Sequence, residues 1–280
     1  MSNTVKRILS ALVLTAIVIG ALISGKGPTL FVLLVIGLLL VDEIYCNIFH
    51  LSRKTPFYWL SQVFFLTPYI LLNYVNKNPL VGDIVLNAAL AFNVLLLMFL
   101  FFPSSKRQVR FIFIMKDFYP FISGIYIFLP ITVLASLLFY PMWGKLVGGL
   151  LLLVFSVDIG AWYVGKNFGK HKLWPSVSPK KTVEGALGGI LLSVVVTSLY
   201  WFFAMDSIYP SLMVGFAIFA IMAQLGDLIQ SKLKRIFDVK DSSHLIPGHG
   251  GIYDRVDSLL FVTPFYLWML KYLHYQPLTF

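Results

Sequence analysis

Trp143–Val164 reads WGKLVGGLLLLVFSVDIGAWYV, and from Leu146 to Val157 it carries no charge. Wound as an α-helix, such a stretch is about 33 Å long, close to the thickness of a bilayer's hydrocarbon core. Its apolar run is too long for a strand and shows no alternation, so it reads as a membrane-spanning helix. Eight further stretches read the same way: Ile8–Ser24, Thr29–Phe49, Phe57–Val75, Leu80–Phe102, Tyr119–Tyr140, Ala186–Ala204, Pro210–Ile229 and Val256–Leu273. Several contain Pro or Gly, which spanning helices tolerate when neighbours satisfy the freed backbone groups.

Composition agrees with that reading. Of 280 residues, 59% are hydrophobic and 12% charged, with a mean hydropathy of +0.85. A soluble domain carries about 25% charged residues, so most of this surface faces something other than water. A disordered chain, a disulfide scaffold and an ordinary soluble enzyme are excluded. The single cysteine, Cys46, has no intrachain partner and reads as a buried thiol. The net charge of +10 is explained by membrane topology before nucleic acid, which is not expected as a partner.

Basic residues sort by the loops between these stretches. Lys6, Arg7, Arg53, Lys54, Lys106, Arg107, Arg110, Lys116, Lys166, Lys170, Lys172, Lys180, Lys181, Lys232, Lys234, Arg235, Lys240 and Arg255 make 18 on one side. Lys26, Lys77, Lys145 and Lys271 make 4 on the other. Positive residues favour the cytoplasm, which predicts an all-α integral membrane protein of about nine transmembrane helices, N-terminus cytoplasmic and C-terminus outside. Lys6 and Arg7 before the first apolar run also allow a signal peptide, whose removal would leave the remaining orientation unchanged. The chain divides into residues 1–118, with four helices, and a region over 119–280 that carries two polar cytoplasmic loops, 165–185 and 230–255.

Those loops hold the chemistry. Asp158 lies about two turns inside its helix, where a charged group costs roughly 2.5–3.5 kcal/mol. Ser178-Pro-Lys-Lys-Thr-Val-Glu-Gly185 follows, in which Ser178 or Thr182 can cap the next helix, with Lys180 and Lys181 at its positive end, where dipole and lysines together would hold an anion. If the eighth helix runs past the membrane, Asp227, Ser231, Lys234 and Asp238 share one face. Pro247-Gly-His-Gly-Gly251 then breaks the helix, and its amides suit an anion-binding concavity. Asp254 and Asp257 stand at helical spacing with Arg255 between them. Carboxylates, lysines and a glycine turn at one membrane face suit a hard cation bridging phosphate oxygens, the apparatus of phosphoryl or nucleotidyl transfer.

Ser231-Lys-Leu-Lys-Arg235, Lys240-Asp241 and Pro247-Gly-His-Gly-Gly-Ile-Tyr-Asp-Arg-Val-Asp257 together resemble the signature of the phosphatidate cytidylyltransferase (CDP-diacylglycerol synthase) family. Asp158 to Gly189 is similar to a second block of that family, so the resemblance covers a little over a third of the chain. It implies an enzyme that joins CTP to phosphatidate, releasing CDP-diacylglycerol and pyrophosphate. It also implies Mg²⁺, with a second cation left open, and a homodimer in a bilayer. The metal set is then Asp254, Asp257, Asp227 and Asp158. Asp227, Lys234, Arg235, Lys240, His249 and Arg255 form the catalytic set. Ser178, Lys180, Lys181, Thr182, Glu184, Ser231, Gly250 and Gly251 bind substrate, the two glycines by close backbone approach. The compact chain with short tails points to a bacterial plasma membrane with the site facing the cytoplasm.

Plainer readings stand beside these. Arg53 and Lys54 serve orientation; Asp254 and Arg255 read as a cap and an interfacial ion pair; Asp158 reads as the partner of a lysine on another helix. Asp42 and Glu43 read equally as an interhelical pair or as pocket residues. Asp83 and Asn87 read as interface groups. Two rival functions remain: another CTP-using lipid enzyme, such as a CDP-archaeol synthase or polyprenol kinase, and a transporter using Asp158 and Asp227.

Overall fold

The computed structural model describes residues 3–75, 79–102, 115–206, 209–248 and 250–272. Its helices are α1 (Asn3–Ser24), α2 (Lys26–Asp42), α3 (Pro56–Ile70), α4 (Pro79–Phe101), α5 (Tyr119–Ser136), α6 (Trp143–Phe168), α7 (Val183–Met205), α8 (Pro210–Ile236) and α9 (Tyr253–Tyr272). Short π-helical turns extend α2 over Glu43–Ile48 and α3 over Leu71–Val75. Among the described residues, seven helical stretches are long and apolar enough to cross a membrane, so the chain is a multi-pass membrane protein. The two others fall short for visible reasons: α3 and its π turn are interrupted by Ser61, Gln62, Thr67, Pro68 and Asn73, and α9 carries Asp254, Arg255, Asp257 and Lys271.

Each element follows from local chemistry. Pro210 opens α8 at a position where its missing N–H costs nothing. Thr182 caps α7 by accepting from Gly185 N at 3.1 Å. One addition to the helical plan lies in the 165–185 loop: β1 (Lys172–Trp174) pairs antiparallel with β2 (Ser178–Thr182). Lys180 and Lys181 therefore sit on a strand leading into α7 rather than in its first turn. The helix ending at Ile236 corrects a second expectation. Asp238 adopts a left-handed conformation (φ 55°) just past the end of α8, so it does not continue the face of Asp227, Ser231 and Lys234.

α5 is the interior helix, with Ile127, Ile131, Val133, Leu134 and Ala135 buried against α3, α4 and α9. α6 and α7 form the most extensive helix pair, seamed by small residues. A Cβ on Gly160 would sit 2.8 Å from Gly188 O, and one on Gly185 would sit 2.7 Å from Ala161 O. Small side chains at a membrane interface let two backbones approach where no hydrophobic drive exists. α1 is peripheral, with 6% of its apolar window buried. Polar ties cross the bundle where carbonyls are within reach: Tyr69 Oη donates to Leu30 O, Asn93 to Phe261 O and Tyr266 Oη to Leu146 O. The buried Lys232 ammonium caps the end of α4, donating to Phe99 O at 2.6 Å, Leu100 O at 3.1 Å and Phe102 O at 2.5 Å.

Gly160→Val tests the α6–α7 seam. The new side chain meets Gly188 O and Leu192 Cβ, neither of which can swing away, so the bundle should lose about 1–3 kcal/mol. A thermal midpoint in detergent unchanged from the parent would contradict that close approach.

Candidate active site

Past α8 the chain reverses through Asp238 and returns to α9 as a loop closed by Ile246 N donating to Gly250 O at 2.9 Å. Gly248 and Gly250 hold positive φ values of 78° and 90°, which side chains adopt at a cost. The Asp254 carboxylate collects four donors from both sides of this loop. Its Oδ1 accepts from Lys234 Nζ at 2.7 Å and Gln230 Nε2 at 3.1 Å. Its Oδ2 accepts from Ser242 N at 2.9 Å and Gly251 N at 3.0 Å. The ion pair with Lys234 is well sheltered, the two side chains being 9% and 11% exposed. A cation at Asp254 would have to displace these donors, the Lys234 ammonium first.

A second carboxylate reaches the same loop from the other end of the chain. Glu43, in the π turn after α2, is 2% exposed. It accepts from Ser243 Oγ at 2.5 Å, Ser242 Oγ at 3.1 Å, and the amides of Ile252 and Tyr253 at 2.8 Å each. Both signature glycines are explained from inside. A Cβ on Gly250 would lie 2.7 Å from Asp254 Oδ2, and one on Gly251 would lie 2.7 Å from both Glu43 oxygens and 2.0 Å from Ser242 Oγ. Three successive amides, Gly251 to Tyr253, thus point at the protein's own carboxylates, where the sequence suggested a phosphate.

Beside the loop, three helices bring three more carboxylates into one electrostatic neighbourhood. Gly226 lets α8 lie against α9, where an added Cβ would be 2.7 Å from Phe261 Cβ; Asp227 follows Gly226 on α8, and Asp257 lies one turn before Phe261 on α9. Asp257 lies in the field of Asp227 and Asp158, and Asp158 in the fields of Asp227, Lys181 and Arg255. Lys181 pairs with Asp227 at 2.6 Å, and Ser231 Oγ donates to the same carboxylate at 3.3 Å. Asp257 Oδ1 accepts from Ser258 N at 2.7 Å, and the Asp257 side chain also borders a cavity lined by Asn93, Tyr126 and Phe261. Among the described residues no three acidic, His or Cys side chains close on one metal-sized point. As donors, however, Asp158, Asp227 and Asp257 are all hard oxygen ligands, the chemistry a magnesium ion selects.

The remaining candidates are dispersed around this centre. Arg235 and Lys240 are exposed at the end of α8 and the start of the loop. Lys180 is exposed on β2, whereas its neighbour Lys181 turns inward. Glu184 anchors the hairpin, accepting from Lys170 N at 3.0 Å and pairing with His171 Nδ1 at 2.6 Å. Ser178 pairs with Trp174 at the hairpin turn. Arg255 is exposed on the first turn of α9. His249 lies outside the described residues, as do Lys106, Arg107 and Arg110. At the same end of the bundle Arg53 grips Asp42 through two hydrogen bonds of 2.7 and 2.6 Å, and that carboxylate raises the guanidinium pKa further above its ordinary value. From α1, Arg7 Nε donates to Gly248 O at 2.7 Å and Ser10 Oγ to Pro247 O at 3.2 Å.

Sequence reasoning passed over Gln230, Ser242 and the clamp role of Glu43. The available signal for Glu43 was an acid at the end of an apolar stretch with no basic residue one turn away.

Named relatives match part of the chain. Over 120 residues the chain is 48% identical to a phosphatidate cytidylyltransferase of Bacillus subtilis, covering 42% of this chain and 45% of that protein. Over 114 residues it is 46% identical to a Staphylococcus aureus protein of the same name and 48% identical to one from Staphylococcus saprophyticus, covering 40% of this chain and 44% of each relative. The matched stretch thus spans a little under half the length of these relatives. A model of the cytidylyltransferase family, by contrast, matches residues 5–273. With that match running from α1 through α9, the chain belongs to the cytidylyltransferase family.

Proposed function

We propose that this protein is a phosphatidate cytidylyltransferase, transferring the cytidylyl group of CTP to the phosphate of phosphatidate. The observation that carries the reading is the gathering of Asp158, Asp227 and Asp257 from three helices beside Lys181 and Arg255, in a chain whose named relatives bear that activity. A phosphate oxygen of the lipid attacks the α-phosphorus of CTP; the bond to the β-phosphate bridging oxygen breaks, and pyrophosphate leaves with its electron pair. The lipid phosphate is already a nucleophile, so no serine or cysteine needs activating. What the site must supply is position and positive charge.

Asp257, Asp227 and Asp158 are the residues that would hold Mg²⁺, with a second cation as a further part of this reading. Magnesium, when bound, neutralises phosphate oxygens and makes the phosphorus more open to attack. Lys181 already sits on Asp227, and its ammonium would be available there to an incoming phosphate. Lys180, Arg235 and Lys240, exposed around the rim, would receive the triphosphate, and Arg255 the lipid phosphate. Asp254 acts first as the partner of Lys234 and the loop amides; it would join the metal by releasing that ammonium. Gly250 and Gly251 serve the loop's own carboxylates. The reading includes nine spans with the N-terminus and the site cytoplasmic, the C-terminus outside, a bacterial plasma membrane and a homodimer; the family resemblance and the charge asymmetry of the loops support these.

Purified protein in detergent, given labelled CTP, phosphatidate and Mg²⁺, should form a CDP-lipid and pyrophosphate in equal amounts, and chelation should stop it. Asp257→Asn should lower turnover by roughly 100-fold or more while the protein keeps its thermal midpoint. Product with an archaeol phosphate and none with phosphatidate would replace the lipid in this reading; no product with any phospholipid would sink it. A second test reads the clamp. Asp254→Asn strands a sheltered ammonium and should cost about 3–5 kcal/mol, whereas Lys234→Met with Asp254→Asn should cost less than the two single changes combined. Additive losses would show that the pair does not act as a unit.

A further inference from the structure

We propose that Glu43 is a positioning residue for the reaction: its carboxylate, supplied by the N-terminal helices, is a resident anion that holds the loop 242–253 in its working shape. The geometry is that of a built site. Glu43 is 2% exposed and accepts four hydrogen bonds, two from side chains at the start of the loop and two from backbone amides at its end. It ties the start of the loop to its end, alongside the bonds that Asp254 of α9 accepts from Ser242 N and Gly251 N. The amides of Ile252 and Tyr253 are the donors a glycine-rich turn would otherwise offer a phosphate; with Glu43 in place that role is filled, and substrate anions are left to the lysines and arginines. Gly251 fits the same account, because any side chain there would run into the Glu43 carboxylate. The π turn over Glu43–Ile48, an irregularity often found at functional sites, carries this carboxylate at the end of α2 next to the loop. Tyr253 leads directly into Asp254 and, one turn on, Asp257, so a loop released at Ile252 and Tyr253 would misplace both.

The proposal rests on the cytidylyltransferase reading for its activity readout alone. Glu43→Gln keeps the size of the side chain but sets an NH₂ against one of the two amides. In it kcat should fall about 100-fold, the penalty for displacing reacting groups by about 1 Å, with KM for CTP changed less than threefold. Glu43→Asp, which keeps the charge one methylene short, should recover about tenfold of that loss. Hydrogen exchange, measured without substrate, should accelerate at least tenfold in the peptide covering residues 242–255 and stay unchanged in α5 and α6. Parental kcat and exchange in Glu43→Gln would overturn the proposal, as would exchange that loosens equally throughout the bundle. If Glu43→Gln does not fold, the double variant Ser242→Ala/Ser243→Ala removes two of the four donors. It should show the same local acceleration and about a tenfold loss of kcat; parental behaviour overturns the proposal. Because exchange needs no substrate, a protein inactive with every lipid would defeat the assigned reaction and leave the loop clamp to be decided on its own.

Discussion

A loop with two glycines at positive φ and few apolar side chains cannot hold itself in one shape by burial, because it has little to bury. This protein supplies the missing rigidity with charge. Asp254 and Glu43 each accept four hydrogen bonds, and between them they engage the backbone or hydroxyl of Ser242, Ser243, Gly251, Ile252 and Tyr253. A sheltered carboxylate is costly unless its oxygens are satisfied; once satisfied, it resists any movement that would strip it of a donor. The shape of the loop and the shelter of the two carboxylates therefore depend on each other. The first residues of α9, with Asp257 among them, take their position from that mutual dependence.

The other carboxylates owe their proximity to small residues. Gly226 brings α8 onto α9, and Gly160, Gly185 and Gly188 bring α6 onto α7. Asp158, Asp227 and Asp257 ride on those helices. In a membrane, where lipid competes with protein on nearly equal terms for apolar surface, close backbone approach is one of the few ways to fix helix positions. Lys232 adds a polar anchor to the same helix as Asp227, closing the open carbonyls of α4.

The spanning plan was legible because length and hydropathy are local properties. Among the described residues the nine apolar stretches fall largely on helix, with Asp158 on α6, Asp227 on α8 and Asp257 on α9. Boundaries were read less well where polar residues belong to helices. α9 begins at Tyr253, three residues before the expected start, since Asp254 in a first turn is favoured by the helix dipole. α8 stops at Ile236, so Asp238 left the face assigned to it. The hairpin was missed because KLW and SPKKT are too short to show a sustained alternation. Glu43 was the hardest to read, because its partners lie 199 to 210 residues away and only the folded bundle brings them together.

The hairpin also settles how two adjacent lysines divide their work. Successive side chains on a strand point to opposite faces, so when Lys181 turns in to Asp227, Lys180 must turn out. The next residue, Thr182, is the cap of α7. Strict alternation ends there: β2 spans four residues between the pairs Trp174–Ser178 and Lys172–Thr182 where β1 spans two, and Thr182 is buried next to the inward Lys181. The irregularity lets one short strand present an outward lysine, an inward lysine and a helix cap in three successive residues.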